Sequence, residues 1–267
     1  MNILFIGDIV GRSGRQAVKH VLPNLRKEKN IDFVIANGEN LAGGTGMTHD
    51  TYREMLEAGV DYFTSGNHIW KKGDFASELD SKNIKVLRPA NYPESVSGRG
   101  FVDLKIENLP RRQAGCILKI INLQGLVFMP EYLDNPFLTA DKLIDQDNKL
   151  ITIVDLHAEA TSEKNCLGYY LDGRVSAVIG THTHVQTNDA RILPKGTAYL
   201  TDAGMCGSLN SSIGDNVEYA INHFLNGLPF RLDVAKEKPL VFNAVLINID
   251  EKTTKANSIE LINKIIE

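Results

Sequence analysis

Val175-Ser-Ala-Val-Ile-Gly-Thr-His-Thr-His-Val185 is the stretch from which the architecture can be read. Its first five residues are a short apolar run of the kind that forms a buried strand, and a polar loop follows from Gly180. Two of the chain's seven histidines, His182 and His184, therefore stand two residues apart just past a strand's C-terminal end. A helix would splay that pair, whereas an extended loop can aim both rings into one crevice. In open α/β sheets, ligands gather in the crevice outside the carboxyl ends of the strands. Taken alone, the fragment fits a pair of solvated loop histidines equally well. The rest of the chain decides.

The same pattern, an apolar run ending in polar side chains, recurs outward from that stretch. Residues 2–7 end at Asp8, residues 32–36 at Asn37-Gly-Glu-Asn40, residues 61–65 at Gly66-Asn-His68, and residues 150–155 at Leu156-His157. Ala17, Val18, Val21, Leu22 and Leu25 recur at helical spacing, with Pro23 expected to kink or divide the helix. Thr48 is the expected N-cap of a helix through Leu56, closed by Gly59. The rhythm to this point is βαβαβ, which predicts an α/β fold with its site at the strand ends.

The middle of the chain reads as strands over 84–87, 100–106 and 116–123, with little helix between them. Short helices are expected over 140–145 and 163–171, and later strands over 197–201, 240–249 and 258–266. No linker or repeat interrupts this order. The expectation is one domain, residues 1–267, containing two sheets.

Composition bounds the partners. The chain has 267 residues, 43% hydrophobic and 23% charged, enough for a sizeable core. A net charge of −4 gives no electrostatic footprint for duplex nucleic acid or an anionic membrane, while leaving small phosphorylated ligands open. No apolar run approaches the ~20 residues of a membrane span. Cys116, Cys166 and Cys206 are far apart and odd in number, which predicts reduced structural thiols in a cytoplasmic protein. Gly7-Asp-Ile-Val-Gly-Arg-Ser-Gly14 lacks the spacing of a phosphate loop. Arg12 and Arg15 there are second-choice phosphate contacts.

Five strand ends thus carry metal-compatible side chains: Asp8; Glu39 and Asn40; Asn67 and His68; His157; His182 and His184. Carboxylate, amide oxygen and imidazole suit zinc, manganese or iron. The ordered set Gly-Asp, Gly-Glu-Asn, Gly-Asn-His, His, Gly-Thr-His-Thr-His resembles the calcineurin-like metallophosphoesterase superfamily, and within it the YmdB-like branch of bacterial phosphodiesterases. The resemblance runs from Asp8 to the Thr201-Asp-Ala-Gly-Met205 loop. Most superfamily members carry Asp-x-His at the first strand, where this chain has Val10, and bridge their metals with Asp, where it has Glu39. Both departures match the branch.

The resemblance implies a four-layer α-β-β-α sandwich with two mixed sheets. It also implies two metal ions, iron favoured and manganese or zinc compatible. Asp8, Glu39, Asn40 and His184 would hold one ion. Glu39 as a bridge, with Asn67, His157 and His182, would hold the other. The implied reaction is hydrolysis of 2′,3′-cyclic nucleotides by in-line attack of a metal-bound hydroxide, with His68 as the general acid that protonates the leaving oxygen. A homo-oligomer and a regulatory use of the catalysis are further implications. The competing readings are a phosphomonoesterase or nucleotidase, and a non-catalytic regulator that binds a phosphorylated ligand.

Around this set the residues allow more than one role. Asp155 and Glu159 could orient His157, although solvated loop acids are the simpler reading. Trp70 and Met47 could pack on a base, although core or rim packing is their default reading. The loop from Gly43 to Gly46 is a flexible segment or, with Gly44, a wall over the site. His20, His49 and His223 read as surface or packing residues.

Overall fold

The computed structural model describes residues 1–106, 116–144, 150–228 and 233–267. In its first third, β1 (Asn2–Ile6) and β2 (Asp8–Ile9) precede α1 (Gly11–Glu28), β3 (Phe33–Asn37), α2 (His49–Glu57) and β4 (Tyr62–Thr64). A 3-10 turn, Ile69–Lys71, and the short α3 (Gly73–Ala76) come next. The middle holds β5 (Phe101–Ile106), β6 (Cys116–Gln124), α4 (Pro136–Leu143), β7 (Ile151–His157) and α5 (Thr161–Tyr170). Then come β8 (Ala177–Thr181), β9 (Arg191–Ile192), β10 (Ala198–Leu200) and β11 (Met205–Ser208). The last elements are α6 (Val217–Asn226), β12 (Leu240–Ile249) and β13 (Ala256–Ile266).

These strands form two mixed sheets. One has the order β2-β11-β12-β1-β3-β4, with β13 also paired to β12. Within it β1, β3 and β4 are parallel, and β12 runs antiparallel to β1. The other has the order β5-β6-β7-β8-β10-β9, its four central strands parallel and its two edges antiparallel.

Side-chain alternation along each strand builds the layers. Ile3 and Phe5 of β1 pack with Ile120, Ile153 and Ile179 between the two sheets. Leu4 and Ile6 turn the other way, onto Ala17, Val18 and Leu22 of α1. On the far side, Val154 and Leu156 pack against Leu167 of α5 and Ala140 of α4. The result is the expected α-β-β-α stack. Burying a side chain such as Phe5 completely is worth ~1.5–3 kcal/mol.

Several elements differ from expectation. Pro23 lies inside an unbroken α1. It is exposed, so the carbonyl that loses its hydrogen bond faces water. Residues 84–87 make only isolated bridges, Val86 with Phe63 and Leu87 with Arg99, and form no strand. The helix expected over 140–145 is α4, which starts earlier because the Asn135 side chain accepts from Phe137 and Leu138 N–H and Pro136 opens the first turn. Asp145 lies outside the described residues. Cys166 is exposed and Cys206 is a buried core thiol, while the side chain of Cys116 lies outside the described residues. No helix among the described residues is long and apolar enough to cross a membrane.

Candidate metal centre

Parallel pairing brings the carboxyl ends of β3 and β4 to one edge of the first sheet, and those of β7 and β8 to one edge of the second. Asp8, at the start of β2, is tied to the second group because His182 N–H donates to its Oδ2 at 3.1 Å. All five sequence-predicted strand ends meet here. Glu39 Oε1 lies 3.1 Å from His157 Nε2 and 3.3 Å from His68 Nδ1. His157 Nε2 is 3.0 Å from His182 Nδ1, and His184 Nε2 is 3.7 Å from Asp8 Oδ1. Asn40 joins the two groups, its Nδ2 3.2 Å from His184 Nε2 and its Oδ1 2.9 Å from His68 Nδ1.

Burial makes this cluster expensive without a cation. Asp8 and Glu39 are 0% and 1% exposed. Asp8 Oδ1 and Asn67 Oδ1 are buried with no hydrogen-bond partner among the described residues. Such orphaned acceptors cost ~1–3 kcal/mol each unless something fills them. The ligand atoms of Glu39, His157 and His182 all lie within 4.8 Å of one another. Carboxylates, amide oxygens and imidazoles facing a buried focus fit a borderline ion such as manganese, iron or zinc.

The imidazoles are oriented for this. His157 Nδ1 lies 3.0 Å from Thr181 Oγ1, and that hydroxyl donates to Asp155 Oδ1 at 2.8 Å. Thr181 has already spent its proton, so it must accept from His157 Nδ1–H, which leaves Nε2 for an ion. His184 Nδ1 donates to Ile213 O at 2.6 Å, again freeing Nε2. His182 is the reverse. Its Nε2 faces Glu159 Oε2 at 3.3 Å, so Nδ1 is the atom turned inward.

Charge follows the same arrangement. Burial opposes the charged form of His157, but the Glu39 charge and hydrogen bond outweigh it and raise the ring to about 9. Burial is likewise outweighed at His184 by its contact with Asp8, again to about 9. His182 is pushed down to about 4 by burial and the neighbouring His157. Burial raises Asp155 to about 7.

Sequence reading missed part of the support. Asp155 is fully buried beneath His157, the opposite of a solvated loop acid, and its signal was a lone charge inside an apolar strand. Gly66 is required by space: a Cβ there would stand 2.2 Å from His157 Cδ2 and 2.4 Å from Glu39 Oε2. Met47 is fully buried in the core and cannot meet a base. Trp70 packs on Tyr92 at 4.5 Å between ring centres. Arg15 is paired with Glu54 at 2.6 Å.

A cavity of about 750 Å³ lies over the cluster, a size suited to a small organic ligand. Its wall includes Glu39, Asn40, His68, His182 and His184, with Gly44 among the glycine-rich loop residues. Exposed Arg12 is not part of it. Val10 lines it too, packed with Met205 and Val241.

A family model described as YmdB-like protein matches residues 4–262. The chain belongs to the YmdB-like family. It is 47% identical over 264 residues to a Bacillus subtilis (strain 168) protein named 2′,3′-cyclic-nucleotide 2′-phosphodiesterase, covering 98% of this chain and 96% of that one. Two solved structures are similar throughout. One is a hypothetical protein from Thermus thermophilus, with TM-score 0.90, 40% identity and all of both chains covered. The other, titled a novel phosphatase, is from Mycoplasma pneumoniae, with TM-score 0.89, 37% identity, and 99% of this chain and 93% of that one covered.

Proposed function

We propose that this chain is a metal-dependent phosphoric ester hydrolase that opens 2′,3′-cyclic nucleotides. The observation that carries the reading is a buried donor set with two orphaned oxygens beneath a ligand-sized cavity. The 47% identity to a named cyclic-nucleotide phosphodiesterase supports the substrate class.

Asp8, Glu39, Asn40 and His184 would hold one ion, and Glu39, Asn67, His157 and His182 a second, with Glu39 shared. A metal pair of this kind neutralises phosphoryl charge and supplies a nucleophile at neutral pH. The chain's own groups do the rest. Asn40 Oδ1 and Glu39 Oε1 both accept from His68 Nδ1, which fixes that ring by one edge. His68 Nε2 has no hydrogen-bond partner among the described residues, and the residue lines the cavity. Protonated at Nε2, it would give its proton to the ribose oxygen that leaves phosphorus. Gly43, Gly44 and Thr45 offer a close wall on another side of the bound nucleotide.

The test is hydrolysis of 2′,3′-cyclic AMP by purified protein reconstituted with manganese or iron(II). Turnover should vanish, together with bound metal, in Glu39→Gln and Asn67→Ala. Reconstituted protein inert toward cyclic nucleotides and bis(p-nitrophenyl) phosphate would sink the proposal. The phosphatase title of the Mycoplasma pneumoniae structure favours a second reading, a phosphomonoesterase. A panel of matched mono- and diesters separates the two.

A further inference from the structure

The loop that carries His182 and His184 has an unusual backbone. His182 has φ 101° and His184 φ 65°, so both stand in the left-handed region that side-chain-bearing residues seldom occupy. Such conformations persist only where the surroundings over-determine them. Between them stands Thr183, whose N–H donates to Asp202 Oδ2 at 3.1 Å. Asp202 is fully buried, and the same oxygen takes Lys164 Nζ at 2.7 Å. Lys164 is itself 1% exposed and comes from α5, outside the cavity wall.

Asp202 fastens both sides of the loop. Its Oδ1 accepts from Gly204 N–H at 2.8 Å, its N–H donates to Thr187 Oγ1 at 3.0 Å, and its carbonyl accepts Thr187 N–H at 3.1 Å. Upstream of the histidines, Ala203 N–H donates to Gly180 O at 2.8 Å. Gly180 is held tightly as well, since a Cβ there would stand 1.8 Å from Thr201 O and 3.0 Å from Lys164 Cδ. A buried ion pair whose oxygens are all engaged resists movement more than a neutral contact does.

We propose that Lys164 and Asp202 are positioning residues: their ion pair, through Asp202 Oδ2 and Thr183 N–H, holds the strained turn that points His182 Nδ1 and His184 Nε2 at the metal focus. The inference rests on the reading of those histidines as ligands. Losing the tether lets Thr183 move, the two φ angles relax, and the rings separate from Glu39 and Asp8.

The test uses the full chain with manganese(II) as the probe. Asp202→Ala should weaken manganese binding by roughly 10–100-fold, the usual cost of losing an outer support of a metal ligand. Thr183 amide exchange, followed by NMR in metal-free protein, should quicken at least about tenfold, because the tether is what protects that amide. Asp202→Asn keeps an acceptor oxygen and should recover part of both. Leu25→Ala, in the core around α1, should lower the melting temperature and change neither reading. If Asp202→Ala does not fold, Lys164→Met and Asp202→Asn give the same two measurements. Manganese affinity within twofold of wild type, with Thr183 still protected, would overturn the proposal. Should wild-type protein bind no manganese, the metal reading itself fails, and Thr183 exchange alone decides whether the tether exists.

Discussion

Thr181→Val isolates one hydroxyl at nearly constant volume. Thr181 Oγ1 accepts from His157 Nδ1 at 3.0 Å and donates to Asp155 Oδ1 at 2.8 Å, with all three residues fully buried. Valine fills the space but leaves both partners without that bond, and also removes the acceptor that Asn37 Nδ2 uses at 3.3 Å. His157 and Asp155 so orphaned cost ~1–3 kcal/mol each, so the change should destabilise the metal-free protein by about 2–6 kcal/mol. At roughly 2–4 °C per kcal/mol for a chain of this size, the melting temperature should fall on the order of 10 °C. The second consequence is chemical. Without Thr181 the His157 tautomer is no longer fixed, and manganese affinity should fall by roughly 10–100-fold. Thermal melts and calorimetric titration read the two effects separately. Thr181→Ser, which keeps the hydroxyl, should restore most of the metal affinity. A valine variant with unchanged melting temperature and manganese affinity within twofold would refute the tautomer argument.

Three further outcomes follow from the same geometry. His157 and His184, raised to about 9, hold protons at neutral pH that an ion must displace, whereas His182, at about 4, holds none. Manganese affinity should therefore climb as pH rises and level off above about 9, by up to roughly one decade per pH unit for each ion below that; a flat profile in anaerobic titrations would contradict this. Gly66→Ala should fold yet lose bound metal, because its methyl group would occupy the space between His157 and Glu39; metal analysis beside a circular dichroism spectrum checks it. His68→Asn should keep its metal and lower kcat for cyclic nucleotides by ~10²–10⁴, with a far smaller loss on p-nitrophenyl esters, whose leaving group needs no proton. Equal losses on both substrates would remove His68 from the acid role.

The strand ends were legible because each joins two signals that composition keeps apart, an apolar run and an ionisable or amide side chain immediately after it. Asp8, Glu39, Asn67, His157 and His182 all announce themselves this way. The supports did not, because their meaning lies in pairings between distant elements. Lys164 sits in a short helix, where a lysine reads as a solvated face, yet its partner Asp202 is 38 residues away. Thr181 reads as one more polar loop residue until β7 and β8 pair and set it opposite His157. Met47, by contrast, is buried in the core as its default reading expects, with Gly38 and Phe63 packed beside it. The unbroken course of α1 past Pro23 was hidden for a related reason: the cost of a missing donor depends on which side of the helix faces water.

The division of the cluster between two sheets also bears on how the protein is made. Asp8, Glu39, Asn40 and Asn67 lie in the first quarter or so of the chain and are rich in oxygen, while the three imidazoles proposed as ligands, His157, His182 and His184, are all encoded far downstream. A nascent chain therefore carries one half of the cluster through most of its synthesis, with buried-to-be carboxylates and only His68 beside Glu39 to offset them. Neither half can grip an ion firmly until residue 184 has left the ribosome and the second sheet has closed on the first. On the proposed metal reading, metal acquisition would be tied to completion, and a bound ion would report that both sheets have met.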